Sequence, residues 1–241
     1  MKKTFLLLPL LAIILNSCHK AEDKGRLVSS IDFVGSDYTA RHEYDTRNRL
    51  IKIGDAYANY TYPSAKTIVM TNSEGYVVTF TLNKDGNVVS WVDNEDRTTT
   101  YTYSNNYLTK IETIGRTYKR TQTLTWDNGN ITTIQLTDGD RPVTYTYEYG
   151  STLNKYTSID LSILCLDIRG YLDFLSLGLF GKSCQYMPSK VAVLDETHRQ
   201  MIAIASFRYE TDSDGYVTNI YGKNEAISDA EEHLRYVIQY K

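Results

Sequence analysis

The sequence predicts a mainly β fold: one curved antiparallel sheet of repeated hairpins with a short helical insert. Three observations carry this. The chain holds 21 Tyr and 28 Thr but only 4 Pro, a balance that favours strands. Apolar residues alternate with Thr or charged residues at period two, the mark of a half-buried antiparallel strand. The same aromatic run, turn and aliphatic run return about every twenty residues, the length of one hairpin and its return connection. At 241 residues the chain fits one large domain or two small ones, and a repeat running through it favours one. A net charge of −3 and a charged fraction of 23% exclude a basic nucleic-acid binder and a disordered chain.

The first segment reads as targeting. Lys2 and Lys3 precede an apolar run over residues 5–15, about half of what a bilayer crossing needs. Leu15-Asn16-Ser17-Cys18 follows, with a Leu three residues before the Cys and a small residue just before it. This resembles a bacterial lipobox, in which the Cys thiol takes the lipid and becomes the new N-terminus. Residues 1–17 are therefore expected to be a signal peptide, Cys18 the lipidation site, residues 18–27 a polar tether and 28–241 one β domain. Two cysteines are left, Cys165 and Cys184. In an oxidising compartment an even remainder permits one disulfide; two buried thiols are the alternative.

The hairpins follow in order over residues 42–53, 60–70, 78–92, 101–111, 124–134, 145–150 and 207–220. The last apolar residues before the first six turns are aligned as Tyr44, Tyr62, Leu82, Tyr103, Trp126 and Tyr147. Val143, Tyr145, Tyr147 and Tyr149 share one face of their strand; Thr144, Thr146 and Glu148 share the other. Asp85-Gly86, Asp127-Asn128-Gly129 and Asp214-Gly215 supply turn residues tolerant of positive φ. A lipid-spanning barrel fails on the outward face, where Arg41, Glu43, Lys110 and Glu112 would meet hydrocarbon.

Residues 160–181 break the pattern. Leu161, Leu164, Cys165, Ile168, Leu172 and Leu175 keep helical spacing, and other sides are apolar too. A helix apolar all round is buried in protein, so the insert is expected to pack on the Tyr-bearing face. Strands resume after Pro188.

The lipobox at Cys18, the Tyr-Thr-Tyr hairpins, the insert ending over residues 177–191 and above all the ending over 207–241 resemble a family of Bacteroides lipoproteins, the domain of unknown function 4595 with porin-like fold. The resemblance implies a curved antiparallel sheet approaching an open barrel and brings no catalytic residues. A weaker likeness to YD-repeat hairpins rests on Tyr44-Asp45 alone. Glu22 and Asp23 loosely resemble the acidic export signal of surface lipoproteins in such bacteria. The expected location is the outer membrane, periplasmic or surface-exposed.

Local motifs for chemistry are sparse. Gly178 to Ser183 resembles the tail of a phosphate loop but lacks the first Gly, so no nucleotide is expected. Glu210, Asp212 and Asp214 alternate before Gly215 as calcium ligands do, yet Tyr221 stands where the bidentate Glu belongs. A hairpin turn explains those three equally well. The four His are not at metal-ligand spacing, and no nucleophile elbow is present. The expectation is a non-enzymatic binding module without cofactor, membrane-bound through Cys18, with an envelope protein or glycan as partner. The alternatives are a carrier of an apolar, lipid-like ligand and a carbohydrate-binding or hydrolytic surface protein. The tyrosine excess, with Trp91 or Trp126, would serve sugar stacking only if exposed.

Overall fold

The computed structural model describes residues 25–54, 58–139, 141–155, 157, 160–165, 179–225 and 231–241. Sixteen strands alternate in direction: β1 (Val28–Phe33), β2 (Thr39–Tyr44), β3 (Leu50–Ile53), β4 (Ala58–Ser64), β5 (Thr67–Thr71), β6 (Val77–Leu82), β7 (Val88–Asp93) and β8 (Thr98–Ser104) form the first half. The second half is β9 (Tyr107–Ile114), β10 (Lys119–Asp127), β11 (Asn130–Asp138), β12 (Arg141–Leu153), β13 (Tyr186–Asp195), β14 (Gln200–Thr211), β15 (Val217–Asn224) and β16 (His233–Tyr240). Each strand pairs with its neighbours in sequence, and β1 pairs antiparallel with β16.

That last pairing corrects the expected open sheet: the barrel is closed. Register runs from Val28 opposite Tyr240 to Phe33 opposite Tyr236. Closure satisfies the two edges that an open sheet would leave as bare rows of N–H and C=O groups. A contact between the two ends of the chain has no local sequence signal.

The two faces of the wall differ as the alternation requires. In β6, Val78 and Phe80 are fully buried while Thr79 and Thr81 are exposed. In β10, Gln122 and Leu124 are buried between exposed Thr123 and Thr125. Only the inside of a closed ring can be buried by the chain itself, so the apolar face points inward. Porins of this strand number leave a water-filled channel; here the inward side chains form one hydrophobic cluster. The polar outer wall is the reverse of the apolar band that a lipid-spanning barrel presents.

The turns fall into two sets. Those that follow even-numbered strands lie at one mouth of the barrel, called end A; those that follow odd-numbered strands lie at the other, end B. The 12-to-13 connection, residues 154–185, belongs to end A. Its described part is a single 3₁₀ turn at Leu161–Leu164 plus extended stretches. The rest of the expected helix, residues 166–178, lies outside the described residues. Leu161, Cys165, Phe180 and Cys184 are all buried in the main cluster, and Phe180 packs on Tyr101 with ring centroids 5.0 Å apart. The described ends of the insert therefore join the Tyr-bearing face, with a single 3₁₀ turn in place of the expected helix there.

Candidate functional site

End A is built by repetition. Seven of the eight even strands finish there with an aromatic side chain that donates to the backbone carbonyl opening the preceding odd strand. Tyr44 Oη donates to Val28 at 2.8 Å, Tyr62 to Leu50 at 2.7 Å and Tyr103 to Val88 at 2.6 Å. Trp126 Nε1 donates to Leu108 at 2.7 Å, Tyr149 to Ile131 at 2.6 Å and Tyr240 to Val217 at 2.6 Å. Tyr209 donates to Pro188. β6 ends in Leu82, which has no donor. At these ends the ladder to the next strand also shifts register, as at Glu43/Tyr44, Thr102/Tyr103 and Thr125/Trp126. Such a bulge re-aims the side chain that follows it. The bulge at Glu148/Tyr149 puts Tyr149, not Tyr147, at the rim; Tyr147 lies one pair further in, 5% exposed. Burial drives the Tyr62 phenol up to about 12, against the pull of Arg49.

The connection over residues 154–185 is pinned across this mouth. Leu179 O accepts from Val88 N at 2.8 Å, Lys182 N donates to Asn106 O at 2.8 Å and Gln185 N to Gly129 O at 3.0 Å. Gly181 lies so close that a Cβ there would collide with the Asn106 carbonyl, and its φ of +82° suits glycine. Lys155 Nζ donates to the Asp214 carbonyl, and Arg26 forms a backbone bridge with Thr157.

Under this connection lies a buried polar cluster. Asp160 Oδ1 accepts from Ser162 N at 3.1 Å, Ser162 Oγ at 2.6 Å and Asn154 Nδ2 at 2.8 Å. Burial still dominates and raises the Asp160 carboxyl above its ordinary value. Cys184 Sγ lies 3.5 Å from Tyr149 Oη, and Cys165 Sγ 3.3 Å from Tyr209 Oη. Both cysteines are free thiols. Burial pushes Cys165 up to about 12 and Cys184 up to about 11, which keeps them protonated and poor nucleophiles.

The other sequence candidates separate. Cys18 lies outside the described residues. Asp212 Oδ1 caps its own turn, accepting from Asp214 N at 2.9 Å and Tyr216 N at 3.0 Å. Asp45, Asn72, Asn83 and Asp93 cap theirs in the same way. The Arg26 guanidinium bridges Asp212 and Asp214, where a calcium ion would have to sit. Glu210 turns away to Arg208 at 3.2 Å and Asn219 at 2.7 Å. The alternating acids are thus a hairpin turn with a cation of its own. Among the described residues no three His, Cys, Asp or Glu side chains gather as metal ligands. Lys182 stacks over Tyr107 at 4.5 Å, and the chain runs on into β13 rather than the helix that a phosphate loop needs. Trp91 is buried and bonded to Tyr101 Oη at 2.9 Å. Neither tryptophan is therefore offered for stacking.

End B is different in kind. Among the described residues, seven of the eight exposed large apolar side chains lie at or near it: Val34, Tyr38, Val92, Ile114, Tyr118, Met201 and Ile202, with Leu153 the exception. The register places Val92 and Ile114 on either side of Thr98 in one outward row. The interior nearest this end turns polar, with Asp93, Thr99, Thr113 and Gln122 all buried. Burial pushes the Asp93 carboxyl up, but the Arg97 N–H, the Tyr76 hydroxyl and the Arg97 guanidinium at 2.6 Å outweigh it and hold it below the ordinary range. His42 Nδ1 and Gln122 Nε2 are buried without a hydrogen-bond partner. Neither was visible as special in the sequence, since one polar residue on an apolar face carries no pattern.

A closed 16-strand antiparallel barrel with a polar outer wall defines a porin-like protein in topology. The family model for "Domain of unknown function (DUF4595) with porin-like fold" matches residues 19–219, and the chain belongs to that family. Among solved structures, a porin-like protein from Bacteroides vulgatus superposes with a TM-score of 0.72 at 16% identity, over 89% of this chain and 99% of that one. A second, from Bacteroides uniformis, superposes at 0.66 and 19% identity, over 89% and 98%. No curated protein matches the chain.

Proposed function

We propose that this chain is an outer-membrane lipoprotein, anchored through Cys18, whose barrel is a non-enzymatic binding module for an envelope protein or glycan. The observation that supports this best is the sidedness of the wall. An interior lined by a hydrophobic cluster is ill suited to a polar solute, and an outer wall of Thr and charged residues is ill suited to hydrocarbon. The surface is then the working part. End B carries the apolar side chains left in water, and clusters of that kind mark interaction sites.

Two measurements test the reading. Labelling with an alkyne fatty acid in the native host should mark the wild type and not Cys18→Ala. A photo-cross-linking residue at Tyr38 or Tyr118 should capture one recurring partner, whereas the same residue at Thr123 on the outer wall should not. Absence of lipid on the wild type sinks the anchor. Equal capture from all three positions sinks the end-B surface.

A further inference from the structure

We infer that end A is a membrane-docking collar that sits on anionic, phosphate-bearing headgroups and holds the barrel end-on, with end B pointing away from the bilayer. This rests on the reading of Cys18 as the lipid anchor.

Three observations converge. The first is where the chain enters. Arg26 is fastened to end A by Asp212 at 2.5 Å, by Asp214 and by the bridge to Thr157. Only seven residues stand between Cys18 and Arg26, eight steps of chain and a reach of at most about 28 Å when fully extended. The wall beside it is β1, six residues and about 20 Å long. To bring end B to the membrane, the tether would have to spend most of its reach along the wall.

The second is charge. Exposed cations stand one by one on the end-A turns and the closing connection: Arg47, Lys66, Lys84, Lys155, Lys182 and Lys241. Several acids there are already occupied. Asp45 caps its turn and holds Arg49 at 2.7 Å, and Asp212 and Asp214 hold Arg26. Among the described residues, Asp85, 3.9 Å from Lys84, and Asp127 remain as exposed acids outside those pairs, fewer than the cations. End B, with its paired groups set aside in the same way, is balanced among the described residues: exposed Asp37, Glu74, Glu196 and Glu231 stand against Lys119, Arg141, Arg199 and Arg235. A basic patch beside an anchor gains about 1 kcal/mol per Lys or Arg at an anionic surface.

The third is the aromatic rim beneath those cations. Arg49 lies over Tyr62 at 4.2 Å, Lys182 over Tyr107 at 4.5 Å, and Lys241 over Tyr44 at 4.6 Å. Tyr and Trp with one apolar and one hydrogen-bonded end are the side chains that settle at headgroup depth. The sequence hides the collar because its members sit on alternate turns. Sorting the turns by end is what reveals it.

The test uses the full lipidated protein in vesicles of phosphatidylethanolamine and phosphatidylglycerol. A fluorophore is placed on Lys84→Cys at end A or on Glu95→Cys at end B. The native Cys165 and Cys184 are 2% exposed and stay unlabelled. With a quencher in the lipid headgroups, the Lys84→Cys label should lose most of its emission and the Glu95→Cys label none. The difference should vanish in 1 M salt, where the Debye length falls to about 3 Å, and on phosphatidylcholine vesicles. Arg47→Gln, Lys66→Gln and Lys182→Gln should each weaken docking about fivefold. Protein that attaches but shows equal emission at both ends overturns the collar and leaves the anchor standing. A difference that survives salt and neutral lipid overturns its electrostatic basis. Failure to attach overturns the Cys18 reading and the inference with it.

Discussion

The two mouths of the barrel are made by the same strands yet solve different problems. End A is tied together: seven aromatic donors link all but one of its hairpins to the one before, and the described parts of the 154–185 connection bond to the turns on either side. End B has only its turns, capped by single Asx side chains such as Asp93, and a polar interior behind them. The difference teaches that one repeat can be specialised by what its alternate turns carry. The wall sets the shape, and the turns divide the labour between sealing and exposure.

That contrast can be broken or sharpened by measurement. The largest effect is expected at the crossing. Phe180→Ala removes a ring only 9% exposed and packed on Tyr101, and should cost about 3–4 kcal/mol in denaturant unfolding. Tyr118→Ala, at an exposed end-B turn, should leave the midpoint where it is. Equal losses would mean that the ends are not mechanically distinct.

The next effect is a pH dependence from the wall between them. Burial lowers His42 from 6.5 to about 4, so it is neutral in the fold. As pH falls through 6.5 the unfolded chain takes up this proton first. The stabilisation is therefore whole above about 6.5 and drains away toward pH 4, by about 3 kcal/mol in all. His42→Gln should flatten that part of the Tm-against-pH curve; an unchanged curve would assign the loss to other groups.

A smaller effect is expected at the rim. Tyr103→Phe leaves the Val88 carbonyl without its donor and should cost about 1 kcal/mol. Leu82→Phe, where no such bond exists, should cost less; parity between the two would mean that the rim hydroxyls add nothing. The smallest concerns an outer pair. Arg116→Ala breaks a bridge to Asp96 whose partners are 71% and 76% exposed, and should not move Tm.

Much of this architecture was legible in the residues. The alternation Val143, Tyr145, Tyr147 against Thr144, Thr146, Glu148 places strand faces correctly, because period two is a local property. The positions of Tyr44, Tyr62, Tyr103 and Trp126 before their turns were equally plain. What they do was not, because each donates to a carbonyl 12 to 18 residues away in sequence, on the neighbouring strand. Tyr149 was misplaced by one pair for a physical reason: the β-bulge at Glu148/Tyr149 shifts the register without changing the pattern of residue types. The closure of β1 on β16 was illegible for the same kind of reason, being a pairing of the chain's far ends. At the alternating acids, the sequence offered two readings of one motif. Arg26, 186 residues from Asp212, decides between them.

The seam between β1 and β16 has one more consequence. Residues 27 and 241 lie side by side, with Lys241 N donating to Leu27 O at 3.0 Å, and the rim bonds run past the seam as they do elsewhere, from Tyr44 to Val28 and from Tyr240 to Val217. Geometrically the ring has no privileged starting point. A gene rewired to join these two residues and to begin instead at an end-B turn, such as the one around Gly139, should still close the same circle. Its N-terminal segment would then leave from the opposite mouth, and under the proposed anchor the orientation at the membrane would invert.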